Sequence, residues 1–400
     1  MRTTWDFASS EALTFGWGAS ILLDSRLARF DRRRIMVITD KHLVRAGLVN
    51  HVTANISSKR AVEVFDGGQP EPSMEVAEAA VKQAEQFEPD CFVAIGGGSN
   101  MDIAKLAALL YTHGGPPQQY IGFDKVPGPI AFLICIPTTA GTGSEVSHAA
   151  VLGDPVSGIK SGVLSPLLRP AIALVDPELT LGCPAKVTAD SGIDALTHAI
   201  ETYLATNFDK LHAKPDELVP FQGKNPLADL LAERAISLIG AHLRTAVKEP
   251  GNRSAREAMA FAATLAGLAF SNGAVAAVHA LEYPLGAHYH CSHGAGNGLM
   301  LPHVMRHNLP ARKKELAQIA ALLGVSTQNQ LLEESAEAAI DAVAKLRDDI
   351  GVPQTLQHLN AKREDIPTIA QKAFEIKRLM GTTPVSPTVE SLKTILEAAW

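Results

Sequence analysis

The stretch VHALEYPLGAHYHCSHG, Val278 to Gly294, holds His279, His288, His290 and His293, four of the 14 histidines in the chain. Imidazole is the commonest protein ligand for transition metals and the side chain that exchanges a proton near neutral pH. A second concentration lies upstream, where TADSGIDALTHAIE (Thr188 to Glu201) carries Asp194 and His198 at i, i+4. On a helix that spacing puts both on one face, so one ion could take both. It is also the spacing of an ordinary surface hydrogen bond. The apolar setting favours the ion: Ile193, Ala195, Leu196, Ala199 and Ile200 surround the pair, and a charge buried among them needs a partner.

A metal shared by His279 and His293 sets a geometric condition. Metal–nitrogen bonds of about 2.0–2.1 Å require the two nitrogens to lie within roughly twice that length. Fourteen residues of continuous helix rise ~21 Å. The chain must therefore reverse between them, and Pro284 and Gly286 are where the sequence would allow it, with His293 and Gly294 opening a new helix. The spacing does not select among the four histidines, since His288 and His290 would serve as ligands, cleft residues or exposed polar residues equally well.

Two glycine-rich turns could cradle a phosphate. CFVAIGGGSNMDIAK (Cys91 to Lys105) reads as a strand, the turn Gly96-Gly97-Gly98, Ser99 and a helix whose unpaired N–H groups and dipole favour an anion. IPTTAGTGSEV (Ile136 to Val146) repeats the arrangement, with Thr138, Thr139, Thr142 and Ser144 adding hydroxyls. One such turn is also an ordinary strand–helix connection, but two at parallel-strand ends point to a nucleotide. Neither matches GxxxxGK[ST], which argues against an ATPase. Asp40, closing the strand VITD, could hold a ribose diol and repel a 2′-phosphate, or could simply cap the next helix.

These residues need elements to hold them. RIMVITD, AVEVF, CFVAIG, FLICIP and AIALVD read as buried strands, with helix patterns such as SMEVAEAAVKQAEQF between several of them. This alternation predicts a parallel sheet covered on both faces. After about Thr188 the segments become Ala- and Leu-rich helices: PLADLLAERAISLIGAHLRTAVK, SAREAMAFAATLAGLAF, ELAQIAALLG, EESAEAAIDAVAKLRDDIG and VESLKTILEAAW. Polar Asn207 to Asn225 reads as a long loop. The expected organisation is an α/β domain over residues 1–187 and an all-helical domain over 188–400.

Four hundred residues exceed what one core usually serves, in keeping with two domains. A net charge of −6 gives no reason to expect nucleic acid or an anionic membrane as partner. Four cysteines without a CxxC pair favour a reducing compartment. The N-terminal MRTTWDFASS lacks the apolar core of a signal peptide, and no apolar run reaches the ~18 residues of a spanning helix. A cytoplasmic protein is the expectation.

Together the motifs VITD, FDGGQPEPS, GGGSNMDIAK, PTTAGTGSEV, Lys160, DPELT, GIDALTHAIE and VHALEYPLGAHYHCSHGAGNGLMLPHVMRHN resemble the iron-containing (group III) alcohol dehydrogenase family over nearly the whole chain. The resemblance implies a dinucleotide-binding α/β domain, a helical domain, a metal in the cleft between them, and a homo-oligomer, by family a dimer. It implies Asp194, His198, His279 and His293 as metal ligands, leaving out His288 and His290. It also implies NAD selection by Asp40, a pyrophosphate loop at Gly97, Gly98 and Ser99, adenosine and ribose contacts at Thr138, Thr139 and Thr142, and a cleft lysine at Lys160. Fe²⁺ is the ion that the family name favours, with Zn²⁺ and Mn²⁺ compatible with the same ligands.

The chain departs from the family's commonest pattern in two places. Tyr283 stands where many members carry a histidine near the nicotinamide, which makes it the candidate catalytic residue. Glu71 stands where asparagine is usual. Tyr283 and VPFQGKNPLADL resemble the hydroxyacid–oxoacid transhydrogenase branch. The implied activity is NAD- and metal-dependent interconversion of an alcohol or hydroxyacid with its aldehyde or ketone. The alternative is transhydrogenation with retained NAD. A dehydroquinate synthase-type lyase is disfavoured by the Asp194/His198 pair, and a metal-free binding protein by the presence of all four ligands.

Overall fold

A computed structural model describes residues 2–70, 72–153, 160–214 and 217–400. The chain divides into two compact units, one of Ala8–Cys183 and one of Met1–Phe7 with Pro184–Trp400.

In the first unit the described strands are β1 (Ala12–Phe15), β2 (Arg34–Asp40), β3 (Ala61–Gly68), β4 (Cys91–Gly96), β5 (Gly122–Phe123), β6 (Leu133–Pro137), β7 (Ala149–Gly153), β8 (Lys160–Leu164) and β9 (Ile172–Val175). Its helices are α1 (Leu23–Arg29), α2 (Lys41–Arg45), α3 (Leu48–Thr53), α4 (Met74–Phe87) and α5 (Gly98–His113). Six strands form one sheet in the order β1-β9-β6-β4-β2-β3, and every neighbouring pair is parallel.

Successive side chains of a strand point to opposite faces, and the core splits accordingly. Met36, Ile38, Phe92 and Ala94 pack with α4 and α5 residues such as Ala77, Ala80, Ile103 and Leu106. Ile35, Val37, Val93 and Ile95 pack on the other face with Leu23, Leu27, Val49 and Val52. Both faces being covered explains the nearly unbroken apolar runs of these strands. From β2 the chain moves outward to β3, then crosses back to β4 on the other side of β2. The gap between β2 and β4 is therefore a topological switch point, where open α/β sheets bind ligands at the strands' carboxyl ends.

Two features of this unit escaped the sequence pattern. β1 has only four residues, too few to show a period, and it pairs as an edge strand with β9. A second sheet, β5-β8-β7, joins short strands too poor in branched residues to stand out.

The second unit is helical: α6 (Ala185–Leu204), α7 (Pro226–Lys248), α8 (Arg253–Asn272), α9 (Ala277–Tyr289), α10 (His293–Leu322), α11 (Leu332–Asp349), α12 (Ile366–Glu375), α13 (Lys377–Met380) and α14 (Val389–Ala398). No single helix among the described residues is long and apolar enough to cross a membrane. The segment ELAQIAALLG is helical as expected and forms the last part of α10, beyond a kink at Arg312 where the backbone leaves the helical region; Pro302 and Pro310 lie in the part before the kink.

The expected reversal at Pro284 and Gly286 does not occur there. α9 runs through both residues, and the chain turns at His290, which takes a left-handed conformation (φ 53°) with its N–H donating to Gly286 O at 2.9 Å. Proline costs a helix one hydrogen bond, which the buried surroundings of α9 tolerate, whereas the left-handed residue after a helix ends it by geometry. The short link His290–Ser292 then leads into α10 at His293.

Candidate active site

In the helical unit, Asp194 and His198 sit one turn apart on α6, His279 on α9 and His293 at the first position of α10. Asp194 Oδ1 lies 4.0 Å from His279 Nε2 and 3.8 Å from His293 Nε2, and Asp194 Oδ2 lies 3.9 Å from His198 Nδ1. Ligand atoms of Asp194, His198 and His279 all fall within 4.8 Å of one another. Ligand atoms about 2.0–2.1 Å from a shared ion are separated by up to about 4.2 Å, and the 3.8–4.0 Å separations between the Asp194 oxygens and the three imidazoles fall within that limit, as a divalent metal requires. The His198 ring stacks between Phe270 (4.4 Å between centroids) and His279 (4.8 Å), which fixes its plane.

Burial raises the Asp194 carboxyl, but the imidazoles of His198, His293 and His279 and the Asn297 amide together hold it below the ordinary carboxylate value. It is thus ionised at neutral pH, the form a ligand must take.

Three buried residues around this cluster carried no signal that the sequence reading used. Asn297, one turn after His293, donates from Nδ2 to Asp194 Oδ1 at 2.7 Å and lies 3.3 Å from His279 Nε2 and 3.2 Å from His293 Nε2. Glu201 Oε2 is 2.5 Å from His279 Nδ1, and Glu282 Oε2 is hydrogen-bonded to His293 Nδ1. With Nδ1–H given to a carboxylate, each ring presents an Nε2 lone pair toward Asp194. Glu201 follows His198 by three residues and Glu282 follows His279 by three, a helical spacing that could have marked them.

Tyr283 follows His279 by one turn, is buried, and places its ring 6.1 Å from that of His293 and 5.8 Å from the Arg378 guanidinium. His288 and His290 are not part of the cluster. His288 is exposed and lies 3.3 Å from Asp365, and His290 is the exposed turn residue.

In the α/β unit, the other candidates gather at the carboxyl ends of the adjacent strands β2, β4 and β6. Asp40 ends β2 and caps α2, with Oδ1 accepting from the N–H groups of His42 (2.8 Å) and Leu43 (3.0 Å). Its Oδ2 accepts from the Asn100 amide at 2.7 Å. A carboxylate offers about four acceptor positions, so these three bonds leave about one, enough for a single ribose hydroxyl. Gly97 precedes α5, Gly98 and Ser99 open it, and all three are partly exposed.

The second turn lies directly against the first. A Cβ on Gly98 would come within 2.7 Å of Thr142 Cγ2, and one on Gly97 within 3.4 Å of Thr139. The Thr138 N–H donates to Gly96 O at 3.0 Å. Gly96 has φ 153°, and a Cβ there would meet Asn100 at 2.1 Å. Asn100 thus occupies the space the glycine leaves while it bonds Asp40.

Lys105 is fully buried on α5 and donates to Ser144 Oγ (2.8 Å), Ser147 Oγ (3.1 Å) and Ala149 O (2.8 Å), anchoring the second turn from beneath. Burial lowers its pKa, against the raising effect of Asp102. Lys160 belongs to β8, but its side chain, like Glu71, lies outside the described residues.

Comparison with known proteins adds a family. The pattern described as "Iron-containing alcohol dehydrogenase" matches residues 10–177, and "Fe-containing alcohol dehydrogenase family, C-terminal" matches residues 188–400. The chain is 36% identical to a long-chain-alcohol dehydrogenase of Geobacillus thermodenitrificans, over 96% of this chain and 94% of that protein. Among solved structures it resembles a 1,3-propanediol oxidoreductase (33% identity, TM-score 0.93, 99% of this chain and 100% of that one). It also resembles the sulfoacetaldehyde reductase of Bifidobacterium kashiwanohense in complex with NAD+ (29% identity, TM-score 0.85, 99% of each chain).

Proposed function

The chain belongs to the iron-containing alcohol dehydrogenase family, and from that premise we propose a ligand set, a cofactor site and roles for individual residues. Family membership makes it an oxidoreductase that interconverts alcohols and aldehydes with NAD and a divalent metal. Within that activity, the ligands are Asp194, His198, His279 and His293, and the native ion is Fe²⁺. What supports this reading is that ligand atoms of Asp194, His198 and His279 lie within 4.8 Å of one another in the helical unit, with His293 Nε2 3.8 Å from Asp194 Oδ1.

When bound, the ion supplies a Lewis acid that acidifies an alcohol hydroxyl, and the nicotinamide supplies the hydride acceptor. The residues do the rest. Asp194 brings the one negative charge of the ligand set and the histidines bring none, so a dication keeps a net charge near +1 and its acidity. Asp40 bonds the ribose diol through one hydroxyl and repels a 2′-phosphate. Gly97, Gly98 and Ser99 offer the N-terminus of α5 to the pyrophosphate. Thr138, Thr139 and Thr142 contact the nucleoside, and Lys160 serves the same cofactor. Ala8–Cys183 is then the NAD-binding unit, and Pro184–Trp400 with Met1–Phe7 the metal-binding unit. The working form is a cytoplasmic homodimer, a state that light scattering on the purified protein measures directly.

The named relatives act on a long-chain alcohol, 1,3-propanediol and sulfoacetaldehyde, and for this chain an alcohol–aldehyde pair is the corresponding reading. The test is an anaerobic assay with NAD and added Fe²⁺ or Zn²⁺ over alcohols of graded length and 4-hydroxyacids, beside metal analysis of the protein as purified. Free NADH formed from an alcohol alone supports the dehydrogenase. Turnover only when a 2-oxoacid is also present would replace it with transhydrogenation.

A further inference from the structure

Two buried carboxylates, Glu201 and Glu282, stand behind the proposed ligands without belonging to them. We infer that they are positioning residues that set how tightly the site holds its ion, an inference that rests on the ligand reading above.

Their arrangement is a chain across three helices. Glu201 on α6 reaches His279 on α9, and Glu282, one turn further along α9, reaches His293 on α10. Glu201 also accepts the Val278 N–H at 2.6 Å with its other oxygen, so the carboxylate that orients His279 also satisfies a free N–H at the start of α9. Each bond fixes the proton on Nδ1 and aims Nε2 inward, and each negative charge makes the attached ring a stronger donor.

Burial makes the case. Glu201 is 4% exposed, Glu282 0% and Asp194 2%. Carboxylates so far from water are costly unless positive charge is shared among them. A divalent ion at the convergence of Asp194 and the imidazoles supplies that charge and leaves the three carboxylates and the ion near −1 in sum. The backbone makes room for the arrangement as well. Gly296, on the same face of α10 as His293, lies so close that a Cβ would come within 2.8 Å of Glu282 Cγ. Any larger residue there would push Glu282 from its place.

The experiment measures Zn²⁺ affinity of the full-length protein by competition with a chromophoric chelator, alongside the thermal midpoint without added metal. Glu282→Gln keeps shape and a carbonyl to accept Nδ1–H but removes the charge, whereas Glu201→Gln removes the charge and one of the two acceptors that Val278 N–H and His279 Nδ1–H use; each is expected to weaken Zn²⁺ binding about 10–100-fold. Gly296→Ala keeps every charge and displaces Glu282, with a loss expected of about 10-fold. If a Gln variant does not fold, Gly296→Ala decides the matter. His279→Ala is the control. Should it retain Zn²⁺ as wild type does, the ligand reading fails and this inference with it. Should it release the ion while the Gln variants and Gly296→Ala stay within about twofold of wild type, the carboxylates are structural only and the inference is overturned.

Discussion

In the helical unit the candidate ligands are side chains of three helices, tied by bonds such as that between Asn297 and Asp194 across 103 positions of sequence. In the α/β unit the candidate cofactor residues lie on short turns, where much of the chemistry belongs to the backbone and side chains mainly hold the turns against each other. The first arrangement is buried and charged, so it depends on every partner being present. The second is partly exposed and depends on close backbone approach. The contrast says what should damage each: loss of a side chain in the cluster, gain of one in the turns.

The largest effect expected is that of His279→Ala. It removes a candidate ligand whose Nδ1 is already held by Glu201, so ion retention should be lost and turnover should fall about 10³-fold or more. Metal analysis and steady-state rates check both, and circular dichroism should show the fold intact. Ion retained at His288 or His290 instead would break the assignment.

Gly98→Ala tests the turns. The added methyl meets Thr142 at 2.7 Å, and overpacking of this kind costs roughly 1–3 kcal/mol, so KM for NAD should rise about 10-fold with the ion content unchanged. A fall in ion content instead would mean that the two regions do not fail separately.

Asp40 sharpens the comparison, because it is a side chain working among backbone groups. Asp40→Gly should improve use of NADP relative to NAD by about 10-fold, and it should lower stability by only about a few tenths of a kcal/mol through loss of the α2 cap, because glycine is itself tolerated at that position. Asp40→Asn keeps a capping oxygen and removes the charge, so it should shift cofactor choice with less effect on the thermal midpoint. A wild type that already prefers NADP would contradict the role given to Asp40.

The smallest effect is expected at Tyr283. Its ring packs beside His293 and Arg378, and a phenol with pKa near 10 is a poor base at neutral pH, so Tyr283→Phe should leave kcat within about threefold. A fall of about 10²-fold would instead mark a proton relay. Tyr283→His raising NADH formation from simple alcohols would tie the tyrosine to substrate class.

Much of the fold was legible locally. β2 and β4 begin and end where their apolar runs do, and α7 spans the same residues as its periodic segment. These elements are long or strongly patterned, so their residues carry the signal within a few positions. β1, with four residues, and the strands of the smaller sheet exist because neighbours pair with them, and pairing leaves no trace in a short run. The continuation of α9 through Pro284 was illegible for a related reason. The penalty of a proline is local, but what offsets it is packing from elsewhere in the helical unit.

The same division runs through the candidate site. Sequence alone determined that Asp194 and His198 share a helix face, that glycine turns follow two strands, and that His279 and His293 need a chain reversal between them. Each follows from rise per residue and allowed backbone angles, which are properties of neighbouring residues. Only the tertiary structure decided that the reversal falls at His290, that Asn297 stands among the candidate ligands, and that Glu201 and Glu282 each take a ring nitrogen. Those facts depend on which helices touch and at what rotation. That is set by how side chains from distant segments fill a common interior, and no window of sequence contains it.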